Sequence, residues 1–363
     1  NADSYVVHPT VVTFDQVITT PEGETATGPN FGRRLDVIIT PADSQTLSDV
    51  VLIQPVPGSV IVTAISPGGG GTIASITLFN GNAVTNPTLI QAILAQNSDG
   101  DLSNDLYIRE FTVRYPTLTA ATTTNVQFFV PDDDATGAPI LNPATGDDVT
   151  ITFGAPTAEG NWQPLDPRDA PNGLIRFDGT GRDVSFVAKS ITLQKQVSVR
   201  TDVGATGLSP GDTLNYNLNI ALSDYFAFGK TFFGQGSFLV ADRLGDGQSL
   251  VPGTATLTIS QNGATQTITL VTSSVVNADG TTSIVFDIGN SLANAAPLRT
   301  SLSGDLALDD LLQGATLAVI AYQARVGQSY TPPAGAPHSE INEGDSLGNN
   351  ATVTATLLVD AFN

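Results

Sequence analysis

The chain has no cysteine, only 14 basic residues and two histidines among its 363 residues. Zero cysteine removes disulfides, thiolate metal sites and cysteine nucleophiles together. Its cores must hold by burial alone, unless some other covalent tie exists. No apolar run approaches the roughly 20 residues that a membrane-spanning helix needs. Acidic residues number 35 against the 14 basic ones, for a net charge of −21. A surface of that sign repels nucleic-acid phosphates and anionic membranes, so neither is expected as a partner. His8 and His338 stand beside prolines in different halves of the chain, which gives a Ser-His-Asp triad no support. No acid–base pair stands out either, and no enzyme is expected.

What is present is a β pattern. Hydrophobic residues make up 40% of the chain, ordinary for a globular protein. Val, Ile, Thr and Phe alternate in short runs broken by Gly, Pro, Asn and Asp, as in antiparallel sandwiches. The first half predicts strands over 11–19, 34–40, 50–54, 60–65, 73–79, 108–115, 125–130 and 149–153. The second half predicts them over 191–199, 213–220, 238–242, 254–260, 266–271, 283–288, 317–326 and 351–359. Residues 88–96 read as a short helix capped by Asn86 or Thr88, and Asn262-Gly263 and Asp279-Gly280 read as hairpin turns.

The halves also resemble one another. Residues 11–17 match 191–197, 35–39 match 214–220, and 51–55 match 239–244. Residues 75–82 match 283–290, and 111–115 match 322–326. Two diverged copies of one Ig-like unit account for this order. The expected organisation is therefore all-β, with tandem Ig-like antiparallel β-sandwich domains over 1–188 and 189–363. Residues 131–183, including Trp162, have no partner stretch and read as extra strands or an insertion in the first domain.

The second half is organised around residues 190–199. At period two, Ile191, Leu193, Lys195, Val197 and Val199 share one face, which puts one of only three lysines in the middle of an apolar stripe. A buried ammonium without a partner costs several kcal/mol. Asp242 lies in the apolar phase of Phe238, Val240 and Leu244, and Asn349 in that of Ala351, Val353 and Ala355. One Lys, one Asp and one Asn are thus expected to point into one core. In the first copy, Asp15 and Gln54 fall at the lysine and aspartate positions.

The second half, roughly Ser190 to Val359, resembles an Ig-like repeat of bacterial cell-surface proteins. The likeness rests on Lys195, Pro210-Gly211-Asp212-Thr213, Asp242-Arg243-Leu244, Phe286-Asp287-Ile288-Gly289 and Asn349-Asn350-Ala351-Thr352-Val353. The Lys195, Asp242 and Asn349 set is similar to the trio of isopeptide-forming pilin and adhesin domains. That resemblance implies that a neutral Lys195 amine attacks the Asn349 amide while a protonated Asp242 polarises it, releasing ammonia. Burial favours both neutral forms. A buried Lys–Asp ion pair capped by Asn349 fits the same residues.

A second signal is Asp99-Gly100-Asp101-Leu102-Ser103-Asn104-Asp105, followed five residues on by Glu110. Oxygen ligands at loop positions one, three and five with Glu at twelve match a calcium loop, with Asp99, Asp101, Ser103, Asp105 and Glu110 as ligands. Position six is Asn104 instead of the usual glycine, which weakens the match, and a solvated acidic turn is the favoured reading of the two. Asp132-Asp133-Asp134 and Asp147-Asp148 read as solvated turns. Gly68 to Gly71 lack the lysine and following helix of a phosphate loop. Trp162 reads as a packing plug or a sugar platform.

These features describe a non-enzymatic structural subunit or stalk segment of an extracellular bacterial assembly, a filament, sheath or surface layer. Residues Asn1 to Pro9, with the apolar run Tyr5-Val6-Val7, are expected to pair with a neighbouring copy, joining subunits head to tail by strand exchange. The alternative is an adhesin that binds a glycan or host protein through residues 131–183.

Overall fold

The computed structural model describes residues 10–20, 26–29, 31–99, 102–142, 146–164, 168, 173–204, 206–223, 227–228, 238–261, 264–295, 302–303, 317–332, 337, 339–342 and 344–355. The chain divides into two compact units. One comprises residues 1–22, 31–141 and 148–188; the other comprises 23–30, 142–147 and 189–363. Strands dominate both.

The first unit contains β1 (Val12–Thr19), β2 (Arg33–Pro41), β3 (Leu47–Pro55), β4 (Ile61–Pro67), β5 (Thr72–Leu78), β6 (Ala83–Val84) and α1 (Pro87–Gln96). It continues with β7 (Ile108–Leu118), β8 (Thr122–Phe129), β9 (Val149–Phe153), β10 (Thr157–Trp162), β11 (Ile175–Thr180) and β12 (Val184–Ala188). One sheet runs β1-β2-β8-β4 and the other β11-β10-β3-β7-β5-β6, with β9 and β12 forming a ladder of their own. Alternation does the burying: Leu35, Val37 and Ile39 of β2 and Val50 and Leu52 of β3 are fully shut from solvent. Asn86 caps α1 through bonds to the Thr88 and Leu89 amides, as expected.

The second unit contains β13 (Ile191–Thr201), β14 (Thr213–Leu222), β15 (Ala227–Phe228), β16 (Phe238–Leu244), β17 (Gln248–Leu250), β18 (Thr256–Gln261), β19 (Ala264–Thr269) and β20 (Val271–Val276). It ends with β21 (Thr282–Asp287), α2 (Ile288–Asn294), β22 (Leu302–Ser303), β23 (Leu317–Val326) and β24 (Asn349–Ala355). One sheet runs β13-β14-β23-β18-β19 and the facing one β20-β21-β16-β24. Leu214, Tyr216, Leu218 and Ile220 of β14 are buried, as are Phe238, Val240, Ile284 and Phe286 of the facing sheet. Contact between the layers is direct, with the Phe286 and Tyr322 ring centroids 5.2 Å apart. Asp279-Gly280 does turn the chain between β20 and β21, with Gly280 at φ +80. Asn262-Gly263 falls outside the described residues.

Two strand readings change. Residues 266–271 are one run in the sequence but two strands in the fold. The chain crosses at Leu270 from the sheet of β18 to that of β21. Ile288 opens a helix instead of closing a strand, because the Asp287 side chain accepts the Asn290 amide at 2.9 Å and caps it.

The two units share one topology. The order β1-β2-β8-β4 corresponds to β13-β14-β23-β18, and β10-β3-β7-β5 to β24-β16-β21-β20. Two of the matched stretches therefore slip by a strand: residues 75–82 belong with β20, and residues 111–115 with β21. Unlike positions of the two helices cause the slip, since α1 precedes β7 whereas α2 follows β21. β10, inside residues 131–183, is the counterpart of β24.

Candidate functional site

Lys195 lies on β13, opposite Leu218 of β14. Its Nζ donates to both carboxylate oxygens of Asp242, at 2.6 and 2.7 Å. The Asp242 side chain is 0% exposed and that of Lys195 17%. Asp242 takes its place from β16, where alternation sends Phe238, Val240, Asp242 and Leu244 inward together. Burial holds the Lys195 amine below its ordinary pKa, and the bonds and charge of Asp242 only partly offset this. The lysine does not sit mid-stripe as expected. Val197 and Val199 are 58% and 46% exposed, so the covered part of the β13 face ends at Lys195.

Asn349 opens β24 opposite Leu244, two residues from the Ala351 that faces Asp242, and on the same side of the sheet. Its side-chain nitrogen and oxygen are both buried and neither makes a well-formed hydrogen bond. The amide nonetheless faces the Tyr216 and Tyr322 hydroxyls. Burial pushes both phenols above their ordinary pKa, and their contact with Asn349 offsets part of that push. Sequence reasoning missed these tyrosines. Tyr322 donates to Asp242 Oδ2 at 2.5 Å and its oxygen lies 3.5 Å from Lys195 Nζ. Tyr216 stacks on Tyr322 at 5.1 Å between centroids, lies under Lys195 Nζ at 4.6 Å, and donates to Gln248 Oε1 at 2.5 Å. The structure thus gathers Lys195, Asp242 and Asn349 at one end of the second core.

β13 and β24 are edge strands of opposing sheets, and among the described residues no ladder joins them. The seam between them opens into a cleft of 340 Å³ lined by Ile191, Leu193, Ala351 and Val353. The first and last described strands of the unit are thus neighbours, with no backbone ladder between them among the described residues.

The first unit fills the equivalent positions differently. On β1 the inward phase is Val12, Phe14, Gln16 and Ile18, while Asp15 is exposed. Gln16, not Asp15, therefore stands at the lysine position; periodicity alone left the register one residue out. Gln54 holds the aspartate position, fully buried, and the register of β3 with β10 sets Gly154 where Asn349 stands. Gln54 and Gln16 both donate to the Gly154 carbonyl, at 3.0 and 3.3 Å. With no amine and no Asn side chain at these positions, this site is held by hydrogen bonds from glutamine amides.

The other candidate sites are dispersed. Asp99 follows the end of α1, Ser103 sits in a 3₁₀ turn, Asp105 precedes β7, and Glu110 lies within β7 between Pro55 and Thr77. Asp101 falls outside the described residues, and no group of three or more His, Asp or Glu side chains spaced to hold a metal occurs among those described. The loop is closed by Asn97, 2% exposed, which donates to the Val62 and Leu106 carbonyls at 2.9 Å and accepts the Leu106 amide at 2.8 Å. Asp134 ties its own turn by accepting from the Thr136 and Ala138 amides. Trp162 packs against the first core. His8 and His338 lie outside the described residues.

No protein-family model matches the chain, and no curated protein does. Among solved structures, the collagen binding domain of the Erysipelothrix rhusiopathiae surface protein RspB matches at 13% identity. That alignment covers 96% of this chain and 97% of that one, with a TM-score of 0.21. The Enterococcus faecalis MSCRAMM ACE matches at 10% identity over 94% and 93%, with a TM-score of 0.20. The major pilin subunit of Bacillus cereus matches at 11% identity over 60% of each chain, with a TM-score of 0.25.

Proposed function

We propose that the chain is a structural subunit or stalk segment of an extracellular bacterial assembly, and that its second unit locks itself with an amide bond between Lys195 and Asn349. One observation carries this reading: a Lys–Asp pair with a fully buried carboxylate, beside an Asn whose amide is buried without well-formed bonds. A buried amide oxygen left without a donor costs about 1–3 kcal/mol. Such an arrangement is poor as a finished structure and good as a reactant.

The proton that must leave Nζ has an acceptor 2.6 Å away in Asp242. Transfer leaves a neutral amine, the form that burial of Lys195 favours, and puts the proton on Asp242. Nζ then attacks Asn349 Cγ, and Asp242 donates a hydrogen bond to the developing oxyanion. The second Nζ proton passes to Nδ2, the Cγ–Nδ2 bond breaks, and ammonia leaves. The result ties β13 to β24, the two strands that lack a ladder. For a stalk, that bond makes the unit resist separation of its first and last strands.

Copies are proposed to join head to tail, with residues Asn1 to Pro9 adding a strand to a neighbour's open sheet edge. The locking step is tested by intact mass. Wild type should weigh one ammonia less than its sequence requires, and Asn349→Ala should have its full calculated mass. A wild-type chain of full mass would leave an ion pair and no bond.

A further inference from the structure

The reaction has an orientation problem. The Asn349 amide must present its oxygen to the acid and its nitrogen elsewhere, yet the two ends have nearly the same shape. Building on the bond-forming reading of Lys195 and Asn349, we propose that Tyr322 and Tyr216 are positioning residues that select the reactive orientation of the Asn349 amide.

The proton inventory supports this. A phenol has one proton to donate and lone pairs to accept with. Tyr322 spends its proton on Asp242 Oδ2 at 2.5 Å, and Tyr216 spends its own on Gln248 Oε1 at 2.5 Å. Both hydroxyls are then acceptors only toward Asn349. They can take the two Nδ2 hydrogens and cannot serve Oδ1. The favoured orientation therefore turns Nδ2, the leaving nitrogen, to the phenols and Oδ1 toward the Lys195–Asp242 pair. The flipped amide would set a carbonyl against two oxygens with no proton to share.

The surroundings keep both rings in place. Tyr216 and Tyr322 are directly paired across β14 and β23 and stack at an interplanar angle of 14°. They are 4% and 1% exposed. Phe286 braces Tyr322 from the facing sheet, and Gln248, which fixes the Tyr216 proton, is held on β17 by pairing with β23. The arrangement also sets the balance of the step: Nζ–Cγ forms, Cγ–Nδ2 breaks, and ammonia departs on the phenol side while Asp242 keeps the first proton.

The test compares an amide with a group that needs no orienting. In an Asn349→Asp chain the reacting carboxyl has two equivalent oxygens, and condensation with Lys195 releases water. Each chain is made by cell-free synthesis and followed by intact mass over time. Tyr216→Phe is the informative change, because Tyr322 also bonds the Asp242 that serves both chains. It should slow ammonia loss by the Asn349 chain at least about tenfold, since small misplacements at a reacting centre cost that much or more. The same change in the Asn349→Asp chain should leave water loss close to the rate of its parent. If Tyr216→Phe slows both chains alike, the tyrosine is only structural; if it slows neither, it has no role. Either result overturns the proposal. Absence of ammonia loss from wild type would sink the bond itself, a separate failure.

Discussion

Replacing Asn349 by alanine separates a covalent tie from an ion pair by the size of the stability change. The substitution leaves Lys195 and Asp242 untouched. Without a bond, it removes a buried amide oxygen that has no donor together with the nitrogen's contacts to Tyr216 and Tyr322, two opposing effects, so stability should change by no more than about 1 kcal/mol either way. With a bond, it opens a loop from residue 195 to residue 349, and 349 − 195 is 154 positions. Closing a loop of that length removes unfolded-state entropy equivalent to about 5 kcal/mol. For a domain of this size, a loss of that order lowers the melting temperature by about 10–20 °C. Thermal unfolding of the two chains, checked by guanidinium titration, reads the difference. An alanine variant that melts above wild type, or within about 4 °C below it, refutes the reasoning. Lys195→Ala is a poorer probe of stability, because it strands the buried Asp242 charge and costs about 3–5 kcal/mol under either account.

Alkaline titration should show Tyr107, pushed up to about 12 by burial and the carboxylates around it, together with Tyr115, Tyr216 and Tyr322 ionising later than a free phenol. Their folded pKa values are raised, so the stability they contribute is complete below about pH 10 and is lost as pH rises beyond it. Phenolate absorbance that follows ordinary tyrosine behaviour in the folded state would contradict this. Calcium held by Asp99, Asp101, Ser103, Asp105 and Glu110 should raise the melting temperature over that in chelator, because a ligand of the folded state stabilises it; equal melting would remove the ion from this loop. Deleting Asn1 to Pro9 should leave both units folded and abolish polymers in electron micrographs, and a truncated chain that still assembles would exclude strand exchange.

Much of the fold was legible because alternation is a local property. Leu35, Val37 and Ile39, or Phe238, Val240 and Asp242, declare their face within a few residues. The Lys195–Asp242 pair was legible for the same reason, since each breaks an apolar phase. What needed the structure was every fact carried between strands. Val197 and Val199 keep the apolar phase, but the cover over β13 ends at Lys195. Tyr216 and Tyr322 occupy ordinary core positions, and only their hydroxyl partners on β17 and β16 mark them. Alternation also repeats every two residues, so an alignment by eye can slip by one and name Asp15 in place of Gln16. β10 was missed because Glu159, Gly160 and Asn161 dilute its apolar phase, although β3 and β11 flank it on both sides.

The most direct measurement is fragmentation mass spectrometry of digested wild-type protein. A single branched species should contain the peptide of Lys195 joined to that of Asn349 through Nζ and Cγ, short of one ammonia, and it should be missing from the Asp242→Ala chain. Recovery of the two peptides separately, each at full mass, from folded wild-type protein would contradict the account.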